Sequence, residues 1–513
     1  MKNTLKPSSS CFALTTGAWA LSLVLAACGG GTDATTGSAT PSPTLAPNIT
    51  LTPTPVSVIT PEKAMLQVQD AQMVPYAGTD SGIHAAHPKG FSLAVGSGLA
   101  YIGEDGSGGK LFWGITDRGP TAPSPDYLDA GGASSKSKVF PAPNFVPKIA
   151  KILLKNGQAS ILEIVELKTA SGLPMSGLPV PPGVVGNSKE IALNESLALL
   201  GKGYDENGID PEGIALEKDG KHAWISDEYG PFLARVELAT GKLVQKLAPG
   251  SGLPEIIKNR QPNRGAEGVA VTPNGKVYLI VQSIMEMPDV KLPDGATAKT
   301  SKAPFVRLVE YDPSNGQTRQ FAYPIDTAMY DKAKDAKIGD LVAINDTQFA
   351  LIEQGSYKAD GQVHNLIYTI DLAQASDISS AKLPNGLDLE YASSLAEVQS
   401  AGVQVASKGL IADMAQDHGW TAEKMEGLAL IDAHTLALIN GNGFGVQASL
   451  RDAAGASFKP DDCSINAALQ FSGKKCTGTA PYTYSVGSAP AAEQAIHLWL
   501  LRLPKTLGDY LPK

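Results

Sequence analysis

The sequence predicts an all-β fold, a β-propeller of six or seven four-stranded blades, and three observations carry that prediction. From about residue 90 onward, short alternating apolar segments are separated by Gly, Asp, Asn and Pro, the pattern of many short strands joined by turns. Related units then recur: "GSGLAYIGEDGSGGKLFWGITDRGP" from Gly96, "DPEGIALEKDGKHAWISDEYGP" from Asp210, "GAEGVAVTPNGKVYLIVQS" from Gly265, "IGDLVAINDTQFALIEQ" from Ile338 and "KMEGLALIDAHTLALINGNGFG" from Lys424. Each is an apolar strand, a tight Asp/Asn/Gly turn and a second apolar strand, a β-hairpin. Third, some units continue into further strands, as in "FLARVELATGKLVQKLAP" and "FVRLVEYDPSNGQTRQFAYP". Four antiparallel strands per repeat around an axis is propeller chemistry, although similar hairpins also build β-sandwiches.

Taken in order, the chain opens on a leader rather than on structure. Lys2 and Lys6 precede an apolar stretch ending "LSLVLAACGGG", and the small residues before Cys28 resemble a bacterial lipobox in which the Cys28 thiol is lipidated. Residues 1–27 read as this signal peptide and 28–60, rich in Gly, Ser, Thr and Pro, as a flexible tether. Gly29 carries no Asp retention cue, which points to the outer membrane of a bacterial cell envelope. Residues 61–513 are then the folded domain. Within it, inserts near 120–145, 170–208, 285–303, 376–423 and 446–490 interrupt the repeat, and "AIHLWLLRL" supplies a closing strand. Asp219-Gly220, Asn274-Gly275 and Asn315-Gly316 read as hairpin turns, and Trp113 and Trp224 as blade core.

With 513 residues, 43% hydrophobic and 18% charged, the chain can bury a large core. The net charge of −9 grows more negative when the leader takes Lys2 and Lys6. An acidic chain without basic clusters is a poor nucleic-acid binder. Export leaves Cys463 and Cys476 as the only cysteine pair besides Cys28, and an oxidising compartment lets them close a disulfide. No coiled-coil pattern is present, so a monomer is expected.

Antiparallel pairing sets the start of an innermost strand beside the end of its hairpin partner. Glu212 therefore neighbours Asp227 and Glu228, Glu267 neighbours Gln282 and Ser283, Asp340 neighbours Glu353, Glu426 neighbours Asn440 and Asn442, and Ser97 faces Asp117 and Arg118. Ring closure gathers them at one channel mouth. Clustered carboxylates need cations to offset their repulsion, and oxygen ligands suit Ca²⁺ above all and Mg²⁺ next. Arg118, Arg235, Arg264 and Lys424 lie in or beside the motifs, and Arg holds phosphate or carboxylate bidentately. A Glu at a strand entry can equally accept backbone N–H bonds or pair with Arg264 or Arg235 as a structural clasp.

Through "SGLAY" with "ITDRGP", "DPEGIAL" with "WISDEYGP", "AEGVAV", and "MEGLALID" with "LINGNGFG", the chain resembles the esterase-like activity of phytase family from about residue 85 to about 505. The resemblance implies a secreted or surface propeller with hydrolase action on phosphate or other esters. A more distant similarity to β-propeller phytases implies Ca²⁺ at the mouth, bridging substrate phosphate and activating water. Strand geometry, not residue-by-residue transfer, makes Glu212, Asp227, Glu267, Asp340 and Glu426 the expected metal ligands and Glu212, Asp227, Glu228 and Glu267 the expected catalytic acids. Arg118, Arg235, Arg264 and Lys424 are expected to hold the substrate. No G-x-S-x-G, H-E-x-x-H or Walker loop occurs. The expectation is a lipid-anchored, cation-dependent phosphoesterase acting on a small ester. Its alternatives are a non-catalytic propeller binding an envelope or extracellular partner, and a metal-dependent carboxylesterase or lactonase.

Overall fold

Period-2 runs in the computed structural model, which describes residues 61–473, 475, 476 and 481–512, form strands wherever β-branched and aromatic residues alternate. The leader, the tether and Cys28 lie outside the described residues. The first strand, β1 (Glu62–Gln67), is followed by β2 (Gly98–Glu104), β3 (Lys110–Ile115), β4 (Lys148–Lys155) and β5 (Gln158–Glu166), and these last four make the first blade. The second blade is β6 (Pro211–Leu216), β7 (His222–Asp227), β8 (Phe232–Glu237) and β9 (Lys242–Pro249). The third is β10 (Ala266–Val271), β11 (Val277–Val281), β12 (Phe305–Asp312) and β13 (Gln317–Pro324). The fourth is β14 (Lys337–Ala343), β15 (Gln348–Ser356), β16 (Val363–Asp371) and β17 (Ser407–Asp413).

The fifth blade joins the two ends of the domain. It comprises β18 (Met425–Asp432), β19 (Thr435–Asn440) and β20 (His497–Arg502), and β1 pairs antiparallel with β20 as its outer strand. The segment "AIHLWLLRL" is therefore the third strand of this blade, and the N-terminal strand completes it. β1 also bridges to β5 in parallel, Leu66 opposite Ala159, which covers the edge of the first blade and removes two open edges at once.

The propeller has five blades, where the sequence predicts six or seven. The inner strands β2, β6, β10, β14 and β18 pack each against the next, and β18 returns to β2. Leu99, Ile214, Val269, Leu341 and Leu428 from these strands line one apolar channel of about 210 Å³. Among the described residues the inserts contribute no inner strand. They fold into small side sheets instead, one of which pairs Asp126–Leu128 with Ser464–Asn466 across the chain. Their short runs of strand residues are what inflate the blade number in the sequence.

Trp224 is buried between the second and third blades and Trp113 between the first and second, as their apolar flanks require. The turn at Asp219-Gly220 puts Gly220 at φ 63°, and Asp219 accepts the backbone N–H of Lys221 and of His222, a hairpin stabilised by its own aspartate. Cys463 and Cys476 form the expected disulfide, with Cα atoms 5.3 Å apart. Among the described residues no helix is long and apolar enough to cross a membrane.

Candidate functional site at the channel mouth

The repeated Glu-Gly pair has a local cause. Four inner strands slip register at the motif: between Pro211 and Gly213, Ala266 and Val269, Ile338 and Leu341, and Met425 and Gly427. Such bulges re-aim one side chain out of the strand's alternation. The residue after it must be small, because inner strands of a five-membered ring approach closely. A Cβ on Gly98 would lie 2.7 Å from Gly213 Cα, one on Gly213 2.7 Å from the Glu267 carbonyl oxygen, one on Gly268 2.6 Å from Leu341 N, and one on Gly427 2.9 Å from the Gly98 carbonyl carbon.

The fourth strand carries Gly339-Asp340 at this place, and its aspartate fills the room that the four glycines leave. Asp340 is buried, and its carboxylate accepts the N–H of Leu341 at 2.8 Å, of Leu428 at 2.9 Å and of Leu99 at 3.3 Å, with Val269 contributing a further backbone donor. Burial raises its pKa while these donors pull it down. The expected metal ligand is thus an axial pin whose oxygens are occupied by four inner strands.

Above the pin, Glu212, Glu267 and Glu426 converge with Asp210 and Glu228. Burial raises the Glu212 carboxyl well above the usual range, and the charges of Glu267, Asp210, Glu228 and Glu426 raise it further. Glu267 is 7% exposed, and among the described residues its side chain has no hydrogen bond and no cation within 4.0 Å; its pKa is raised by burial and by Glu228 and Glu426. Carboxylate oxygens of Asp210, Glu212 and Glu228 lie within 4.8 Å of one another. Asp210 is wholly buried and its Oδ2 accepts no well-aligned hydrogen bond. Burial and the neighbouring Asp210 push Glu228 up to about 8, against Arg118 and Lys424.

Asp227 stands beside this group without joining it. Its Oδ1 accepts the N–H of Asp210 at 3.1 Å and of Tyr229 at 2.9 Å, its Oδ2 is buried without a donor, and burial pushes it up to about 7. It shapes the turn that presents Asp210 and Glu228.

The basic residues divide similarly. Arg118 is an internal hub: its guanidinium meets Glu190 at 2.9 Å, Asp210 at 3.3 Å, Glu228 at 3.8 Å and Asn263 Oδ1 at 3.0 Å. Those acceptors leave it a positioning role for the acids rather than a grip on substrate. Arg235 lies toward the opposite end of its blade in a bidentate pair with Glu217, at 2.5 and 2.7 Å, because its place in β8 opposite Trp224 carries it away from the mouth. Arg264 does reach the rim. It donates to Ser283 Oγ at 3.3 Å and to the Lys334 carbonyl, with Asp335, Glu228 and Glu267 nearby. Lys424 stays half open to water while pairing with Glu426 at 2.7 Å, and Glu426 foremost, then Glu212 and Asp117, raises its pKa against burial.

Four further participants escape the strand-entry reasoning. Asp210 precedes Glu212 by two residues and was signalled only by the Asp-Pro pair at the start of its repeat. Glu190 and Lys138 come from inserts with no repeat pattern. Lys337 opens β14, where nothing distinguishes it from a solvated strand end. Burial foremost lowers the pKa of Lys138 and Lys337, and nearby Arg118, Arg264 and Lys424 lower it further; among the described residues neither of these two lysines has a side-chain hydrogen bond or ion pair.

A mouth of this composition on a closed propeller agrees with sequence kinship. The profile of the family described as phytase-like, esterase-like activity of phytase, matches residues 94–444. The chain belongs to this family. Every inner strand, the axial pin and the acids of the mouth fall inside the matched span of this phytase-like domain. No curated protein matches the chain significantly. Among solved structures, the hydrazine synthase of Kuenenia stuttgartiensis aligns at 12% identity over 64% of this chain and 78% of its own, with a TM-score of 0.27. The periplasmic gluconolactonase PpgL of Pseudomonas aeruginosa aligns at 10% identity over 76% and 85%, with a TM-score of 0.24. These likenesses are too distant to bear on activity, and the propeller assignment rests on the chain's own sheet topology.

Proposed function

We propose that this phytase-like protein is a divalent-cation-dependent ester hydrolase with its site at the five-bladed channel mouth, and that phosphate esters are its substrate class. The observation that carries the reading is the Asp210, Glu212 and Glu228 cluster, whose oxygens approach within 4.8 Å beside the unpaired, buried Glu267. An all-oxygen donor set with an unsatisfied buried acceptor fits a hard cation, Ca²⁺ before Mg²⁺. When bound, such a cation supplies Lewis-acid polarisation of the ester oxygen. The chain's own residues do the rest. Arg118 and Glu190 fix the orientation of Asp210 and Glu228, while Lys138, Lys337, Lys424 and Arg264 give an anionic substrate group its countercharge at the rim. Glu426 holds Lys424 in place.

The same reading puts the enzyme in the bacterial envelope, anchored through Cys28, as a monomer acting on small molecules. The test is hydrolysis of a phosphate monoester and of a carboxylate ester by the same sample, with added Ca²⁺ and with chelator. Chelator-sensitive phosphate release, lowered at least about tenfold in Glu212→Gln, is the expected outcome. Preference for the carboxylate ester would make it a carboxylesterase or lactonase, and chelator-insensitive or absent turnover would sink the reading.

A further inference from the structure

A second polar cavity, of about 550 Å³, opens at the start of β16, lined by Asp360, His364, Asn365, Gln416, Glu423 and Glu493 among others. None of the mouth acids Asp210, Glu212, Glu228, Glu267 and Glu426 lines it. Its lining contains no Lys or Arg. His364 is buried, stacked on Tyr357 at 3.8 Å between ring centroids, with Nδ1 2.5 Å from Asp413 Oδ2 and Nε2 3.0 Å from Asp360 Oδ2. Both ring nitrogens face carboxylates, so the ring donates to both only as the imidazolium. That one positive charge stands against four carboxylates, those of Asp360, Asp413, Glu423 and Glu493. Asn365 is 2% exposed, and its Oδ1 has no donor among the described residues. A buried amide oxygen without a donor costs stability and calls for an explanation.

An unmatched acceptor, an excess of negative charge and no resident Lys or Arg call for a ligand that brings N–H donors and positive charge. We propose that this cavity binds a small organic cation, a primary ammonium or guanidinium compound, at a site independent of the catalytic mouth. Asn365 and the three outer carboxylates Asp360, Glu423 and Glu493 would accept its hydrogen bonds, charge-assisted and therefore strong.

The full chain is titrated calorimetrically with 1,4-diaminobutane and, as an uncharged control of equal length, with 1,4-butanediol. The proposal expects saturable binding of the diamine and none of the diol. It expects affinity reduced roughly tenfold or more in the Glu423→Gln/Glu493→Gln variant, whose partly exposed side chains can be changed without disturbing the core. Diamine binding should persist in Glu212→Gln/Glu228→Gln, which separates this cavity from the acids of the mouth. No saturable diamine binding overturns the proposal. So does binding that is lost in the mouth variant and retained in Glu423→Gln/Glu493→Gln.

Discussion

Arg118 is the residue on which the acids of the mouth depend. Its guanidinium is buried among Glu190, Asp210 and Glu228, and removing one member of a buried charge network leaves the others uncompensated. Arg118→Met should therefore lower stability by about 3–5 kcal/mol, read as the shift of a denaturant midpoint. A loss below about 1 kcal/mol would show that the acids are not balanced through this residue. Asp227 gives a pH-dependent counterpart. Burial lifts its pKa from 3.8 to about 7, so between those values the folded chain holds a proton that the unfolded chain has released. The stability from that proton is complete below about pH 4 and is lost as the pH rises through 7. Asp227→Asn has no proton to lose, so the wild-type advantage over it should shrink by about 2–4 kcal/mol between pH 4 and pH 8. Parallel pH profiles would contradict that account. At this scale the sequence was informative where a residue sits in the repeat: Glu212, Glu267 and Glu426 converge as expected. It was silent on how carboxylates are occupied, so Asp227 and Asp340 read as ligands although backbone N–H groups claim them.

At the scale of the strand, the Glu-Gly pair is a bulge coupled to a close approach. The bulge turns the glutamate to the mouth, and the glycine lets the next inner strand come near enough to close a five-membered ring. Gly213→Ala would put Cβ 2.6 Å from Ser226 Oγ and 2.7 Å from the Glu267 carbonyl oxygen, overpacking that costs about 1–3 kcal/mol and displaces the backbone bearing Glu267. Gly220→Ala has open space around it but stands at φ 63°, a backbone penalty of about 1 kcal/mol. Both variants should melt lower, and only Gly213→Ala should weaken cation binding. Equal cation affinities in the two would uncouple the glycine layer from the site. The hairpins were legible because apolar alternation and Asp-Gly or Asn-Gly turns act locally. Bulges were not, since they answer to contacts with the neighbouring blade, and Asp340 in the glycine layer became visible only when five strands met.

For the whole molecule, ring closure converts scattered strand entries into one chemical surface. Residues between 117 and 426 meet at the mouth only because β1 pairs with β20 and β18 packs against β2. The propeller itself was legible, since five recurrent hairpin units that continue into further strands fit blades around an axis better than the two sheets of a sandwich. The blade number was not, because side sheets built from inserts carry the same strand residues as blades. Glu190 and Lys138, which those inserts deliver to the mouth, were hidden for the same reason. The central claim is that this closure builds a cation site from Asp210, Glu212 and Glu228. Calorimetric titration of the chain with Ca²⁺, beside Glu212→Gln/Glu228→Gln, tests it most directly. The account predicts saturable binding that raises the melting temperature of the wild type and is lost in the variant. Wild-type protein that takes up no Ca²⁺ or Mg²⁺, or a variant that binds as tightly, would contradict it and leave the acids as a clasp holding the blades together.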